Sequence, residues 1–167
     1  MNRSIFGYSN EKTNFIVQHI TLKPVGFVRN QRVEPVDDNW GSIESVIELS
    51  EDLPSDSLEG IDSFSHLEII YYFDRSHKVV TGSEHPRENL NWPKVGIFAQ
   101  RKKDRPNHLG ATIVKLVKRE ERKLTVLHLD AIDGTPVLDI KPVFAEFLPE
   151  ENIVQPEWTK ELMKNYW

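Results

Sequence analysis

The sequence predicts a mainly β protein: a small antiparallel β-barrel with a short C-terminal helix. Three observations carry this expectation. Short runs rich in β-branched and aromatic residues recur along the chain, turn signals separate them at close intervals, and only two segments carry helical patterns. With 167 residues the chain is long enough for one domain with a real core and short for two.

Residues 1–14 (MNRSIFGYSNEKTN) are polar and patternless, and are expected to form a loose leader. The barrel domain is expected over 15–150. Its first strand ends the run FIVQHITLKPVGFV, around residues 18–28, and SVIELS (45–50) and HLEIIYYF (66–73) follow. KVGIFAQ (94–100) is read as the next strand. ATIVKLVKRE (111–120) and KLTVLHL (123–129) form a hairpin through EERK, and TPVLDIKP closes the series. Turns are marked by Leu53-Pro54, Glu59-Gly60, Thr81-Gly82, Asp133-Gly134 and Lys141-Pro142. SDSLEG (55–60) suits one helical turn. A helical tail over 151–167 rests on PEWTKELMKNYW, where Pro156 marks a start and Trp158, Leu162 and Tyr166 recur four apart. That stripe is expected to bury itself on the barrel or on a second subunit.

The formal charge of −5 disfavours a cation-coated surface for unspecific nucleic-acid binding, yet leaves room for a local basic patch. No cysteine is present, which excludes disulfides, thiolate metal sites and thiol nucleophiles together. No apolar run approaches the ~20 residues of a membrane span, and the start of the chain lacks a signal-peptide pattern. A cytoplasmic location without a membrane partner is expected. The eight glycines include no G-x-G pair, so neither a dinucleotide fingerprint nor a P-loop is available. His66, His77, His85, His108 and His128 fall at irregular spacing, and no metal site is expected.

Three segments carry candidate chemistry. In LDAIDGTPVLDIKP (129–142), Asp130 and Asp133 stand three apart at a strand exit, and Gly134-Thr135-Pro136 forces a turn. One of these carboxylates suits an Asx-turn. A second beside it is repelled unless a cation, from a ligand or an arginine, lies between them. FSHLEIIYYFDRS (64–76) puts Asp74 and Arg75 at a strand end, which as a bare pair reads as ordinary solvated charge. RKKDRPNHLGAT (101–112) gathers Arg101, Lys102, Lys103 and Arg105 around Asp104. Charge runs are usually solvated loops. Here Pro106 and Gly110 stiffen the loop, and a rigid cationic loop suits phosphate. Just upstream, RENLNWPK (87–94) sets Trp92 among Arg87 and Lys94, an arrangement that can stack on an unpaired base.

Together, GIDSFSHLEIIYYFDRS, VGIFAQRKKDRPNHLGATIVKL and LDAIDGTPVLDIKPV resemble the TrmO family, also called TsaA-like or YaeB-like proteins, over about residues 20 to 145. The resemblance implies a β-barrel methyltransferase active as a homodimer. Its cofactor would be S-adenosylmethionine, and its acceptor threonylcarbamoyl-adenosine in tRNA. Carried onto this chain, it implies cofactor contacts from Asp74, Arg75 and Arg101, and from Asp130, Ala131, Ile132 and Asp133 in the D-x-x-D-G-T turn. DDNWG adds Asp38 and Trp40 as an early cofactor loop. Lys102, Lys103, Arg105 and Asn107 would meet the phosphates of the acceptor. Asp130 or Asp133 would neutralise the sulfonium or ammonium, Asp74 would bond ribose, and backbone at Ala131 and Ile132 would hold adenine. No general base is assigned, although His108 is placed to receive the proton lost after attack.

The chain also departs from the family. His108-Leu109 stands where the loop usually reads Pro-Ile, Asp74-Arg75 replaces a His-Gln pair, and only a short tail follows the barrel. A binding module that holds the cofactor without transferring its methyl group, or a methyltransferase with another acceptor, are the alternatives.

Overall fold

The computed structural model describes residues 20–167. The expected leader, and residues 18–19 of the first expected strand, lie outside the described residues.

Alternation of inward apolar and outward polar residues builds six of the eight strands into a closed antiparallel barrel. In chain order these are β1 (Gly26–Arg29), β2 (Glu44–Leu49), β3 (His66–Tyr72), β4 (Ser83–Glu84), β5 (Val95–Gly96), β6 (Leu109–Glu120), β7 (Lys123–Leu127) and β8 (Pro136–Pro142). Around the barrel the order is β1, β2, β7, β6, β3, β8, closing on β1. In β3, Leu67, Ile69 and Tyr71 point inward and are buried, while His66 and Tyr72 are exposed. Val28, Ile47, Val114, Leu124, Val126, Leu129 and Val137 complete the fully buried interior. Closure leaves the barrel without an open edge.

The hairpin of β6 and β7 turns where the expected runs 111–120 and 123–129 leave room for it. Glu120 pairs with Lys123, so Glu121 and Arg122 alone make the turn, with Glu121 at φ 50°. The first strand is shorter than its sequence run: residues 20–24 approach the barrel outside any strand, and Val25 joins it by bonds to Val137 (2.8 Å) and Ser50 (2.9 Å). KVGIFAQ gives only the two residues of β5, which pair with β4 outside the barrel. Residues Ile97–Ala99 then turn as a 3-10 helix that buries Ile97. Another 3-10 turn, Ser55–Leu58, falls on the expected SDSLEG segment and buries Leu58.

The tail contains α1 (Glu157–Met163), opening after Pro156. Trp158, Thr159, Leu162 and Tyr166 are the half-buried residues of the tail; Trp158 stands beside Trp92 of the chain's own loop (ring centroids 6.3 Å apart) and Tyr166 bonds Asp130 at the barrel end. Among the described residues no helix is long and apolar enough to cross a membrane.

Candidate functional site

The strand exits that the sequence singled out meet at one end of the barrel. β1 leaves into residues 30–43, β3 into 73–76, and β7 into the turn 128–135, while β6 enters from the basic loop. The turn 128–135 is fastened to β1 by backbone bonds: Gly134 N–H donates to the Val28 carbonyl (2.8 Å), and Val28 N–H to Thr135 (3.0 Å). Gly134 has φ 84°, a left-handed conformation that glycine adopts at no steric cost.

Asp130 and Asp133 answer to different donors. Asp130 Oδ1 accepts the hydroxyl of Tyr71 (2.7 Å) and that of Thr112. Its Oδ2 accepts the hydroxyl of Tyr166, from the tail. Asp133 Oδ1 accepts the backbone N–H of Asn30 (3.1 Å), and Asp133 N–H donates to the Arg32 carbonyl (2.7 Å). Asp133 thus ties its turn to the β1 exit instead of closing an Asx-turn on its own amides. Among the described residues no arginine bonds either carboxylate; neutral hydroxyls hold one and a backbone amide the other.

Burial, then the Asp130 charge beside it, pushes the Tyr71 phenol well above its ordinary value. The same two causes raise Tyr166, against an opposing pull from Arg101 and Arg87. Both phenols therefore remain donors across the physiological range, and three neutral O–H groups orient the Asp130 side chain.

The early loop lies beside this carboxylate. Trp40 is buried, and the Arg32 guanidinium sits 4.3 Å from its ring centroid. Arg32 also donates to the carbonyls of Asp38 (2.7 Å) and Asn39 (3.0 Å). The Asp38 carboxylate is held by Arg87, at 2.7 and 3.1 Å. Ala131 and Ile132 are buried, and the Ala131 carbonyl already accepts from the Asn30 side chain (2.9 Å). Arg75 donates to the carbonyls of Val33 (2.9 Å) and Asp133 (3.2 Å), so it braces the two loops. Asp74 is exposed, and its carboxylate has no side-chain partner among the described residues.

The basic loop divides into two parts. Lys102 pairs with Glu84 at 2.5 Å and with Asp104 at 3.7 Å, and Arg105 donates to the Gln100 carbonyl (3.2 Å). Asp104 in turn accepts from Ser76 (2.7 Å), which pins the loop to the β3 exit. Lys103 and Asn107 are exposed without such partners among the described residues. Arg101 is exposed and donates to the Ala111 carbonyl. His108 bonds the Lys78 carbonyl through Nε2 at 3.0 Å; a carbonyl only accepts, so Nε2 carries the proton and Nδ1 is the basic nitrogen.

The structure therefore brings Trp40, Arg101 and Asp130 together around Tyr166, holds Asp38 through Arg87 and Arg32, and uses Arg75 and Asp133 to fasten the loops. Sequence reasoning missed Asn30, Arg32, Tyr71, Thr112, Arg87 as the partner of Asp38, and Tyr166 as a polar group. The alternation in β3 places Tyr71 inward, and an inward tyrosine needs a hydroxyl partner; that was the one available signal.

The donor set suits a sulfonium cofactor. A charged carboxylate accepts about four hydrogen bonds, and three are used at Asp130, leaving a position for a cation. A profile of the tRNA-methyltransferase O N-terminal domain matches residues 30–147. The human protein named tRNA (adenine(37)-N6)-methyltransferase is 38% identical over 103 residues, 62% of this chain but only 23% of the human one. A Pyrococcus abyssi protein described as "Probable S-adenosyl-L-methionine-binding protein" is 35% identical over 144 residues, 80% of this chain and 73% of its own. A crystal structure of TrmO from Pseudomonas aeruginosa superposes with a TM-score of 0.70 at 24% identity, covering 86% of this chain and 63% of that one, and so shares the fold.

Proposed function

The chain belongs to the tRNA-methyltransferase O family, and on that premise we propose that it transfers a methyl group from S-adenosylmethionine to an adenine nitrogen in tRNA, with threonylcarbamoyl-adenosine as the acceptor. One observation carries this reading: a carboxylate, Asp130, fixed by three neutral donors at the barrel end where Arg101 and the Trp40 loop converge.

When bound, the cofactor supplies a methyl group on a positively charged sulfur. Asp130 would hold its positive end, and the exposed Asp74 carboxylate is placed to bond its ribose. Asp38 and Asp133 are engaged by Arg87 and by the Asn30 amide, so their part is to shape the walls. Lys103 and Asn107 are exposed on a pinned loop and would meet phosphates; Lys102 and Arg105 hold that loop in shape, and Arg101 stays beside Tyr166. An exposed cation on a fixed loop binds phosphate with little ordering cost, and an acidic body limits unspecific binding. Methyl transfer needs the acceptor nitrogen placed opposite the sulfur, and positioning of that kind lowers a barrier by roughly 7–11 kcal/mol. The proton leaves after attack, so no strong base is required; His108 Nδ1 is available to take it.

A second copy of the chain fits the outward face of β3 and β6. Tyr72, Leu109 and Ile113 lie there, each at least 38% exposed, with Tyr72 paired to Leu109 and Ile113 to Glu68 on the same side of the sheet. This supports a homodimer.

Incubating the protein with labelled cofactor and total tRNA, followed by nucleoside mass spectrometry, tests the proposal. A methylated threonylcarbamoyl-adenosine supports it. Cofactor binding without any methylated nucleoside favours the binding-module alternative, to which the Pyrococcus relative's description lends weight.

A further inference from the structure

The tail reaches the candidate site from outside the family domain, whose match ends at residue 147. Its course is fixed at several points. The carbonyls of Asn165 and Tyr166 accept the N–H groups of Asn39 (2.8 Å) and Trp40 (2.7 Å), so the tail extends the early loop by backbone pairing. The indole N–H of Trp92 donates to Glu161 at 2.6 Å, and the Trp167 ring meets His128 edge-on at 5.5 Å.

Residue 41 shows that the loop is shaped for this passage. A Cβ on Gly41 would stand 2.5 Å from the backbone carbonyl carbon of Trp167, closer than real side chains come. Glycine is therefore required where the tail crosses, which a casual contact would not demand.

From this placement the geometry points to Tyr166 as a positioning residue: the tail completes the cofactor site in cis, with the Tyr166 hydroxyl holding Asp130 Oδ2 in the orientation that receives the cofactor's positive end. The inference rests on the cofactor reading above. Tyr71 and Thr112 fix only Oδ1, from inside the barrel. Without Tyr166 the outer oxygen lacks its donor, and the carboxylate loses its pre-set direction.

Equilibrium dialysis with labelled S-adenosylmethionine tests this on the full chain, comparing wild type, Tyr166→Phe, Asp130→Asn and the double variant. Tyr166→Phe is expected to weaken binding about tenfold, as for loss of a hydrogen bond to a charged group. The double variant is expected to bind no more weakly than Asp130→Asn alone, because the shared interaction is lost only once. Gly41→Ala, which displaces the tail without touching either partner, is expected to repeat the Tyr166→Phe loss. Cooperative thermal unfolding of each variant checks that it is folded. Wild-type affinity in Tyr166→Phe, tighter binding (a tail that obstructs the site), or additive losses in the double variant each overturn the inference while the cofactor reading stands. A wild-type protein that retains no labelled cofactor overturns both.

Discussion

The two ends of the barrel hold most of their charged groups differently, although Arg87 pairs with Asp38 at the first and Arg122 donates to the carbonyls of Leu49, Ser50 and Leu53 at the second. At the turn 128–135, charged groups are engaged by neutral hydroxyls, amides and carbonyls: Asp130, Asp133, Arg32 and Arg75 each bond such partners across loops. At the other end, a hollow of about 890 Å³ is lined by Lys23, Arg29, Glu48, Asp52, Arg122 and Lys123 among others. Its charges pair mostly with one another in water, as Lys23 with Asp52 and Lys123 with Glu48. Backbone conformation divides the same way: the described non-glycine residues at positive φ are Asn39, Arg87, Glu88, His108 and His128 in the loops of the first end, and Glu121 alone in the hairpin of the second. The end that carries this hollow is thus the less organised one. Fixed polar groups lie around Asp130, and most of the positive-φ residues fall in the loops of its end of the barrel.

The contrast is most severely tested through packing. A Cβ on Gly110 would run into the ring of Tyr71, the residue that holds Asp130 from inside the barrel, whereas one on Gly82 meets nothing within 4 Å. Gly110→Ala is expected to cost ~1–3 kcal/mol and Gly82→Ala to stay within about 0.5 kcal/mol, read from urea unfolding midpoints. Equal effects would remove Tyr71 as a tightly packed support.

A smaller effect concerns alkaline pH. Tyr71 and Tyr166 are raised in the folded protein, while an unfolded tyrosine titrates near ~10. Below that pH both states keep the proton and the stabilisation is complete. Above it the unfolded chain releases protons that the folded chain retains, so stability falls as pH rises. Thermal stability is expected to fall steeply above about pH 10 in wild type, and less steeply in Tyr166→Phe. Identical slopes would contradict the Tyr166–Asp130 contact. The smallest effect belongs to the other end: Glu48→Gln, which breaks exposed pairs with Arg29 and Lys123, is expected to change stability by less than ~1 kcal/mol and to leave cofactor binding alone.

Much of the barrel was legible because period-2 alternation is local: HLEIIYYF declares its inward face without help from the rest of the chain, whereas in KLTVLHL Thr125 is buried between Leu124 and Val126. KVGIFAQ misled because its apolar residues suit a strand, yet Ile97 is buried by a 3-10 turn. The site was legible only where family motifs marked it. Tyr166 read as one member of an apolar stripe, since its hydroxyl partner stands 36 residues away. Asn30, which bonds Ser45, Ala131 and Asp133, has partners as far as 103 residues along the chain, and no local pattern announces such a hub. The basic loop showed its charge in the sequence but not its division, because Glu84, the acid that engages Lys102, comes from the separate strand β4.

Titration calorimetry of S-adenosylmethionine into wild type and Asp130→Asn addresses the central claim most directly. The variant keeps the side chain's size and removes its charge. The account predicts measurable binding in wild type and a loss of at least about tenfold in Asp130→Asn, with Glu48→Gln indistinguishable from wild type. Equal affinity in wild type and Asp130→Asn would show that the cofactor's positive end is held elsewhere.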